Sequence, residues 1–252
     1  MGSERNTPRW DKIRGTFREP LARLLAGLQA KLGDRVASLT VVGSALTDDF
    51  RDTVSDINTV VVLDEHSMEA LKAVAALAKP MSRHKVSPPL LVTASHIERS
   101  RDVFGVEFLD FQLTHETILG DDPFEAIALE KQDVRLQCER ELKALLVRLR
   151  QGWIASGGDA RLVRDLLISS AKGLAPLLRA MLWLKDIERP RTLEATLREA
   201  AGRFGVELDA AVTAQRWRFE SRRLSSEDVN NTFVAVVESV DRLAATIDEV
   251  EL

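Results

Sequence analysis

A single cysteine, Cys138, in 252 residues leaves no partner for an intramolecular disulfide and no thiol cluster for zinc or iron–sulfur. Tyrosine is absent altogether. The four histidines (His66, His84, His96 and His115) all fall in the first half and lack the spacing of a zinc site. No apolar run approaches the ~20 residues needed to cross a bilayer, and Met1 to Arg9 is polar, without the apolar core of a secretion signal. Excess charge of either sign is missing too: 35 Lys and Arg oppose 39 Asp and Glu, a net charge of −4. That balance speaks against a broad nucleic-acid-binding surface. The expectation is a soluble, cytoplasmic protein that spans no membrane.

What is present is enough for a sizeable core, with 45% apolar and 29% charged residues. The first half changes its period repeatedly. Thr7-Pro8 offers an N-cap and first-turn pair for a helix in which Ile13, Phe17, Leu21, Leu24, Leu25 and Leu28 recur at helical spacing. Val36 to Val42 reads as a strand running into Gly43-Ser44, and Ile57 to Leu63 as a second, largely buried strand. Ser67 to Met81 reads as a helix stopped near Pro80, and Val86 to Thr93, with Pro88-Pro89, as an edge strand at best. Ser95 and Glu98 form a capping-box pattern for a short helix ending near Phe104. Gly105 to Leu113 reads as the next strand, and Gly120 to Pro123 as a turn at the domain boundary.

Beyond that turn the pattern is helical. Cys138, Leu142, Leu145, Leu146, Leu149 and Trp153 make one apolar stripe on a helix ending at Gly157-Gly158, with the thiol as core packing. Asp159 caps a helix over Ala160 to Lys185, interrupted or kinked near Gly173 and Pro176; shorter helices follow over Thr192 to Arg203 and Leu208 to Phe219. Ser225 caps the last helix, lined by Phe233, Val236, Val237, Val240 and Leu243. No one of these helices can bury its stripe alone, so the second half is an up-and-down bundle. The fold class is α+β: a mixed sheet with flanking helices over residues 1–122, then an all-helical bundle over 123–252.

The stretch that carries chemistry is Val41-Val42-Gly43-Ser44, followed after eleven residues by Asp56-Ile57-Asn58 and an apolar strand. Glycine and serine at a strand end allow close backbone approach and offer a hydroxyl to an anion. Asp56 and Asn58, two apart on a strand, share a face. This pattern resembles the nucleotidyltransferase superfamily, the polymerase-beta-like fold that includes the aminoglycoside (kanamycin-type) and minimal nucleotidyltransferases. Gly43, Ser44 and Asp56 match its motif, and Ser55-Asp56-Ile57 is similar to the usual Ser-Asp-Ile-Asp; at position 58 the second carboxylate of the family is an asparagine. A helical bundle after the catalytic domain also resembles the antibiotic nucleotidyltransferases.

The resemblance implies Mg²⁺- or Mn²⁺-dependent transfer of a nucleotidyl group, adenylyl in the first instance, from ATP or another nucleoside triphosphate to a hydroxyl acceptor on a small molecule or protein. It implies Asp56 as metal ligand and catalytic residue, and Gly43, Ser44 and Asn58 around the nucleotide. The family's third carboxylate falls to Asp110 or Glu107 on the 105–113 strand, as metal ligand or base. Alternation places Glu107 with Leu109, Phe111 and Leu113, and Asp110 with Phe108 and Gln112, which favours Asp110 towards a wet cleft. Arg135, early on the first long helix, is a candidate contact to the nucleotide. Asn58 offers a metal only a neutral carbonyl oxygen and weakens a second metal site.

Three functions remain open on these residues: an active nucleotidyltransferase, a catalytically inactive nucleotide-binding or regulatory module, and an antitoxin-like protein whose bundle binds a protein partner or a second copy of the chain. Residues 126–252 hold 20 basic and 20 acidic residues and no histidine, which excludes a histidine-dependent ribonuclease site in the bundle. Asp48, Asp49, Arg51 and Asp52 read as a solvated loop, and His115 as a polar turn residue near the cleft.

Overall fold

The computed structural model describes residues 7–220 and 224–250; most of the polar start of the chain, residues 1–6, lies outside the described residues. The chain divides into two compact units. The first comprises residues 1–101 and 110–128, and the second residues 102–109 and 129–252.

The first unit is built on a four-stranded mixed sheet. In chain order its elements are α1 (Gly15–Leu32), β1 (Val36–Val42), β2 (Asn58–Leu63), α2 (Met68–Ser82), β3 (Leu90–Thr93), α3 (Ala94–Arg99), the end of α4 (Gly105–Leu113) and β4 (His115–Leu119). The strand order is β3-β2-β1-β4, with β1 antiparallel to β2 and β4, and β2 parallel to β3. One sheet face, carrying Leu39, Val41, Val61 and Ile118, packs in one core with Leu21, Leu24, Leu25 and Leu28 of α1 and with Ala70 and Val74 of α2. Ser67 caps α2 through its hydroxyl, which accepts from the Ala70 amide at 3.1 Å. As expected from Pro88-Pro89, β3 is at the sheet edge.

Two expected helix starts are corrected. α1 begins at Gly15 with Arg14 as its N-cap, so Thr7-Pro8 starts no helix. α3 is capped by Thr93, whose hydroxyl accepts from the His96 amide at 3.1 Å; Ser95 lies inside the helix.

The largest correction concerns residues 105–113, which form helix α4 and not a strand. Gly105, Val106, Phe108 and Leu109 are buried, a helical rather than alternating spacing. The aromatic and β-branched content of this stretch mimics a strand, but a buried side chain overrides it. Gln137 Oε1 accepts the Val106 amide at 2.9 Å, satisfying one of the first-turn donors of the helix. The strand beside β1 is instead His115–Leu119, reached at once because Thr114 closes α4 by donating from both its amide and its hydroxyl to the Asp110 carbonyl.

The second unit is a helical bundle of α5 (Lys131–Ser156), α6 (Ala160–Leu184), α7 (Leu193–Phe204), α8 (Asp209–Arg216) and α9 (Ser226–Asp248). Its core includes Cys138, Leu142 and Leu149 of α5, Leu167, Leu174 and Leu178 of α6, Leu197 of α7, and Val236 and Leu243 of α9. Asp159 caps α6 by accepting from the Arg161 and Leu162 amides, and α6 runs as one helix through Gly173 and Pro176, so of the expected interruption or kink there is no interruption. Gly157 takes the left-handed conformation that ends α5.

Candidate functional site

The motif residues gather where β1 ends and β2 begins. Val42 stands opposite Asn58 in the β1–β2 ladder and opposite His115 in the β1–β4 ladder, so Asn58, Val42 and His115 form one row across the sheet. Directly after Val42 the chain turns through a 3₁₀ segment, Gly43–Leu46. Gly43 has φ +75° and open space where a Cβ would be, so glycine is required here by backbone conformation and leaves room for a ligand. Its amide donates to the Thr114 carbonyl at 2.9 Å, fixing the turn to the start of β4. Ser44 is half-buried, beside that open space.

The segment leading into β2 alternates in exposure: Ser55, Ile57 and Thr59 are buried, whereas Asp56 and Asn58 are exposed. The two candidate ligands therefore share a face, as their spacing requires. The Asp56 carboxylate makes no hydrogen bond or ion pair among the described residues and is free to take a ligand. The loop between the motif halves is held by its own contacts. Ser55 Oγ accepts the Arg51 amide at 3.1 Å, the Arg51 guanidinium donates to the Asp48 and Phe50 carbonyls at 2.7 and 3.2 Å, and Phe50 packs on Phe17 with ring centroids 4.6 Å apart. Arg51 thus serves the loop itself.

The two candidates for a third carboxylate lie on a helix, so the strand-face argument that separated them has no basis in this fold. Asp110 belongs to the first unit and is half-buried. Glu107 belongs to the second, where its Oε2 accepts from Gln137 Nε2 at 2.7 Å. Arg135 also belongs to the second unit; its guanidinium bonds Glu139 and the Ile247 carbonyl, both at 3.3 Å. The strands adjoining β2 are β1 and β3, and neither contains an acidic residue. β4 carries Glu116, but it pairs with Val41, on the opposite face from Asn58, and it meets Lys12 at 3.3 Å.

His115 takes a larger part than a turn residue. It opens β4, and its ring nitrogens face two acceptors: the Phe111 carbonyl at 2.8 Å and Asp122 Oδ2 at 2.7 Å. Sequence alone hid this pair because Asp122 was read only as part of a turn.

The donor set does not fit a resident two-metal centre. Among the described residues no group of three His, Cys, Asp or Glu side chains could hold one ion. One exposed carboxylate, an amide carbonyl and a hydroxyl do suit a hard cation that brings most of its ligands with it as phosphate oxygens and water. A pocket of about 400 Å³ opens at the far end of β1, lined by Gln29, Asp34, Ala37, Gly120 and Asp121. It stands apart from the motif, and its carboxylates disfavour a polyphosphate.

Residues 21–111 match the family model for the Nucleotidyltransferase domain, a span that contains Gly43, Ser44 and Asp56. No curated protein matches the sequence. Among solved structures, the chain resembles spectinomycin adenyltransferase AAD(9) from Enterococcus faecialis, crystallised with ATP and spectinomycin. The TM-score is 0.60 at 12% identity, over 90% of this chain and 98% of that one. At that identity the likeness is one of fold. Residues 21–111, which contain the Gly43-Ser44 turn and the start of β2, thus form a nucleotidyltransferase-like domain, and an all-helical bundle follows it.

Proposed function

We propose that this protein binds a nucleoside triphosphate, ATP in the first instance, at the sheet end formed by Gly43, Ser44, Asp56 and Asn58, and that nucleotidyl transfer to a hydroxyl acceptor is severely weakened there. The observation that carries this reading is the acid count around β2. Asp56 precedes the strand, position 58 is asparagine, and neither neighbouring strand supplies a carboxylate. In-line attack on the α-phosphorus requires the acceptor oxygen to be deprotonated and the developing charge to be neutralised. One carboxylate can hold a Mg²⁺ or Mn²⁺ that arrives with the triphosphate, but it cannot also hold a second ion and accept the acceptor's proton. Ser44 and the backbone amides of its turn are suited to the terminal phosphates.

The test pairs binding with turnover. Calorimetry should detect ATP binding with Mg²⁺, weakened about tenfold or more by Asp56→Ala, as expected for loss of a charged ligand. With radiolabelled ATP and a panel of hydroxyl acceptors, spectinomycin included as the acceptor named for the fold relative, turnover should stay far below the ~1–10³ s⁻¹ of ordinary enzymes. Absence of binding with either Mg²⁺ or Mn²⁺ contradicts the site; turnover in the ordinary range contradicts its weakened chemistry.

A further inference from the structure

Although the protein is acidic overall, residues 70–97 contain no Asp or Glu and carry Lys72, Lys79, Arg83 and Lys85. The last two lie in the turn that ends α2, a turn tied to the motif. The Ile57 amide donates to the Lys85 carbonyl at 2.7 Å, the Ser87 amide donates to the Ile57 carbonyl at 3.0 Å, and Ile57 bridges Val86. Arg83, His84 and Lys85 are exposed, between the buried anchors Met81 and Val86, so the turn stands directly beside Asp56.

The turn is also strained. The Val86 amide reaches back to the Met81 carbonyl at 3.2 Å, with Lys85 left-handed at φ +58°. This is the helix-ending geometry that ordinarily takes glycine, and lysine costs about 1 kcal/mol there. Arg83 and Lys85 form no ion pair among the described residues. His84 lies close enough to Glu19 to favour that carboxylate's charged form, so the case rests on Arg83 and Lys85. Two uncompensated cations at the entrance to a site that is short of carboxylates are suited to attract a polyanion where protein-held metal ions are lacking.

From this juxtaposition we infer that the Arg83–Lys85 turn is a phosphate-binding element of the nucleotide site, and that it lets the triphosphate bind without a divalent cation. The inference rests on the nucleotide-binding reading above and adds the source of the phosphate affinity.

Calorimetry with inorganic tripolyphosphate and with ATP, in EDTA and then in Mg²⁺, tests it. The wild-type protein should bind both anions in EDTA. Arg83→Gln and Lys85→Gly should each weaken that binding by about tenfold, one charge-assisted contact apiece. Lys72→Gln, on the same helix but away from the turn, should leave it unchanged. Lys85→Gly carries a second signature: it should raise the melting temperature while lowering affinity, which a merely structural lysine cannot do. Binding that requires Mg²⁺, or that is the same in both turn variants as in the wild type, overturns the inference and leaves the nucleotide site standing. Absence of triphosphate binding in both EDTA and Mg²⁺ overturns the two together.

Discussion

His115 Nε2 lies 2.7 Å from Asp122 Oδ2, while Nδ1 of the same ring lies 2.8 Å from the Phe111 carbonyl. Both partners are acceptors, so the ring is held between a backbone carbonyl and a carboxylate. Burial pushes the Asp122 carboxyl up, but the His115 hydrogen bond, the Phe124 amide and the imidazolium charge outweigh it and hold the group below the usual carboxylate range. A depressed carboxyl contributes stability above its unfolded value, near pH 3.9. That contribution fades as pH falls through the lower folded value. Asp122→Asn should therefore cost about 1–2 kcal/mol at neutral pH, as for a partly exposed charge-assisted bond, and the gap to wild type should close on acidification below about pH 4. Urea titrations from pH 7 to pH 3 check this.

Gly120 and Gly43 have almost the same backbone angle, φ +76° and +75°, yet substitution should affect them differently. A Cβ on Gly120 would lie 2.0 Å from the Ala37 carbonyl oxygen, which is backbone and cannot step aside, whereas Gly43 faces open space. Gly120→Ala should cost about 2–5 kcal/mol, combining left-handed strain with overpacking. Gly43→Ala should cost only the strain, about 1–2 kcal/mol. Thermal or denaturant unfolding of the two variants measures the difference; equal losses would mean that the close packing of Gly120 on β1 is wrong.

Cys138 is buried in the bundle, and burial, then the carboxylates of Glu107 and Glu141, push its thiol up to about 12. Only the thiolate reacts, so the native protein should resist a thiol reagent at pH 8 and react fully once unfolded in guanidinium. Rapid labelling of the native state would place the thiol outside the core.

Asn58→Asp returns the residue that the family uses at this position, but it leaves β1 and β3 without a carboxylate. The variant should bind Mg²⁺-ATP about tenfold more tightly and still fail to transfer the nucleotidyl group, since one added oxygen ligand improves the ion's grip without supplying a base. Calorimetry and the radiolabelled assay read the two effects separately. Strong turnover from this single change would mean that charge at position 58 is the only thing missing.

The parts of this molecule that were legible in its sequence are those with unbroken patterns. β1 occupies Val36–Val42, the α5 and α9 stripes are buried and Asp159 caps α6, each where the sequence pattern places it, because in each the periodicity and capping agree with the final packing. Gly43, Ser44 and Asp56 stand out through their resemblance to the nucleotidyltransferase motif, and the pairing of β1 with β2 brings the two halves of that motif to one end of the sheet. Residues 105–119 are where local pattern misleads. There a short helix and a short strand adjoin with only Thr114 between them, and the cap that decides for helix is Gln137, more than twenty residues ahead in the chain. Local pattern cannot see such a partner. The same error moved the expected third carboxylate onto a strand that does not exist, and it hid His115 at the start of the real one.

The central claim is that a nucleoside triphosphate binds at the Gly43–Ser44 turn with Asp56 as the only carboxylate on its metal ion. A crystal structure grown with magnesium and a non-hydrolysable ATP analogue tests it most directly. The account predicts terminal phosphates beside Ser44, one Asp56 oxygen about 2.1 Å from the magnesium, and phosphate oxygens and water in its remaining positions. A second protein carboxylate in the ion's shell, or nucleotide bound away from this turn, would contradict it.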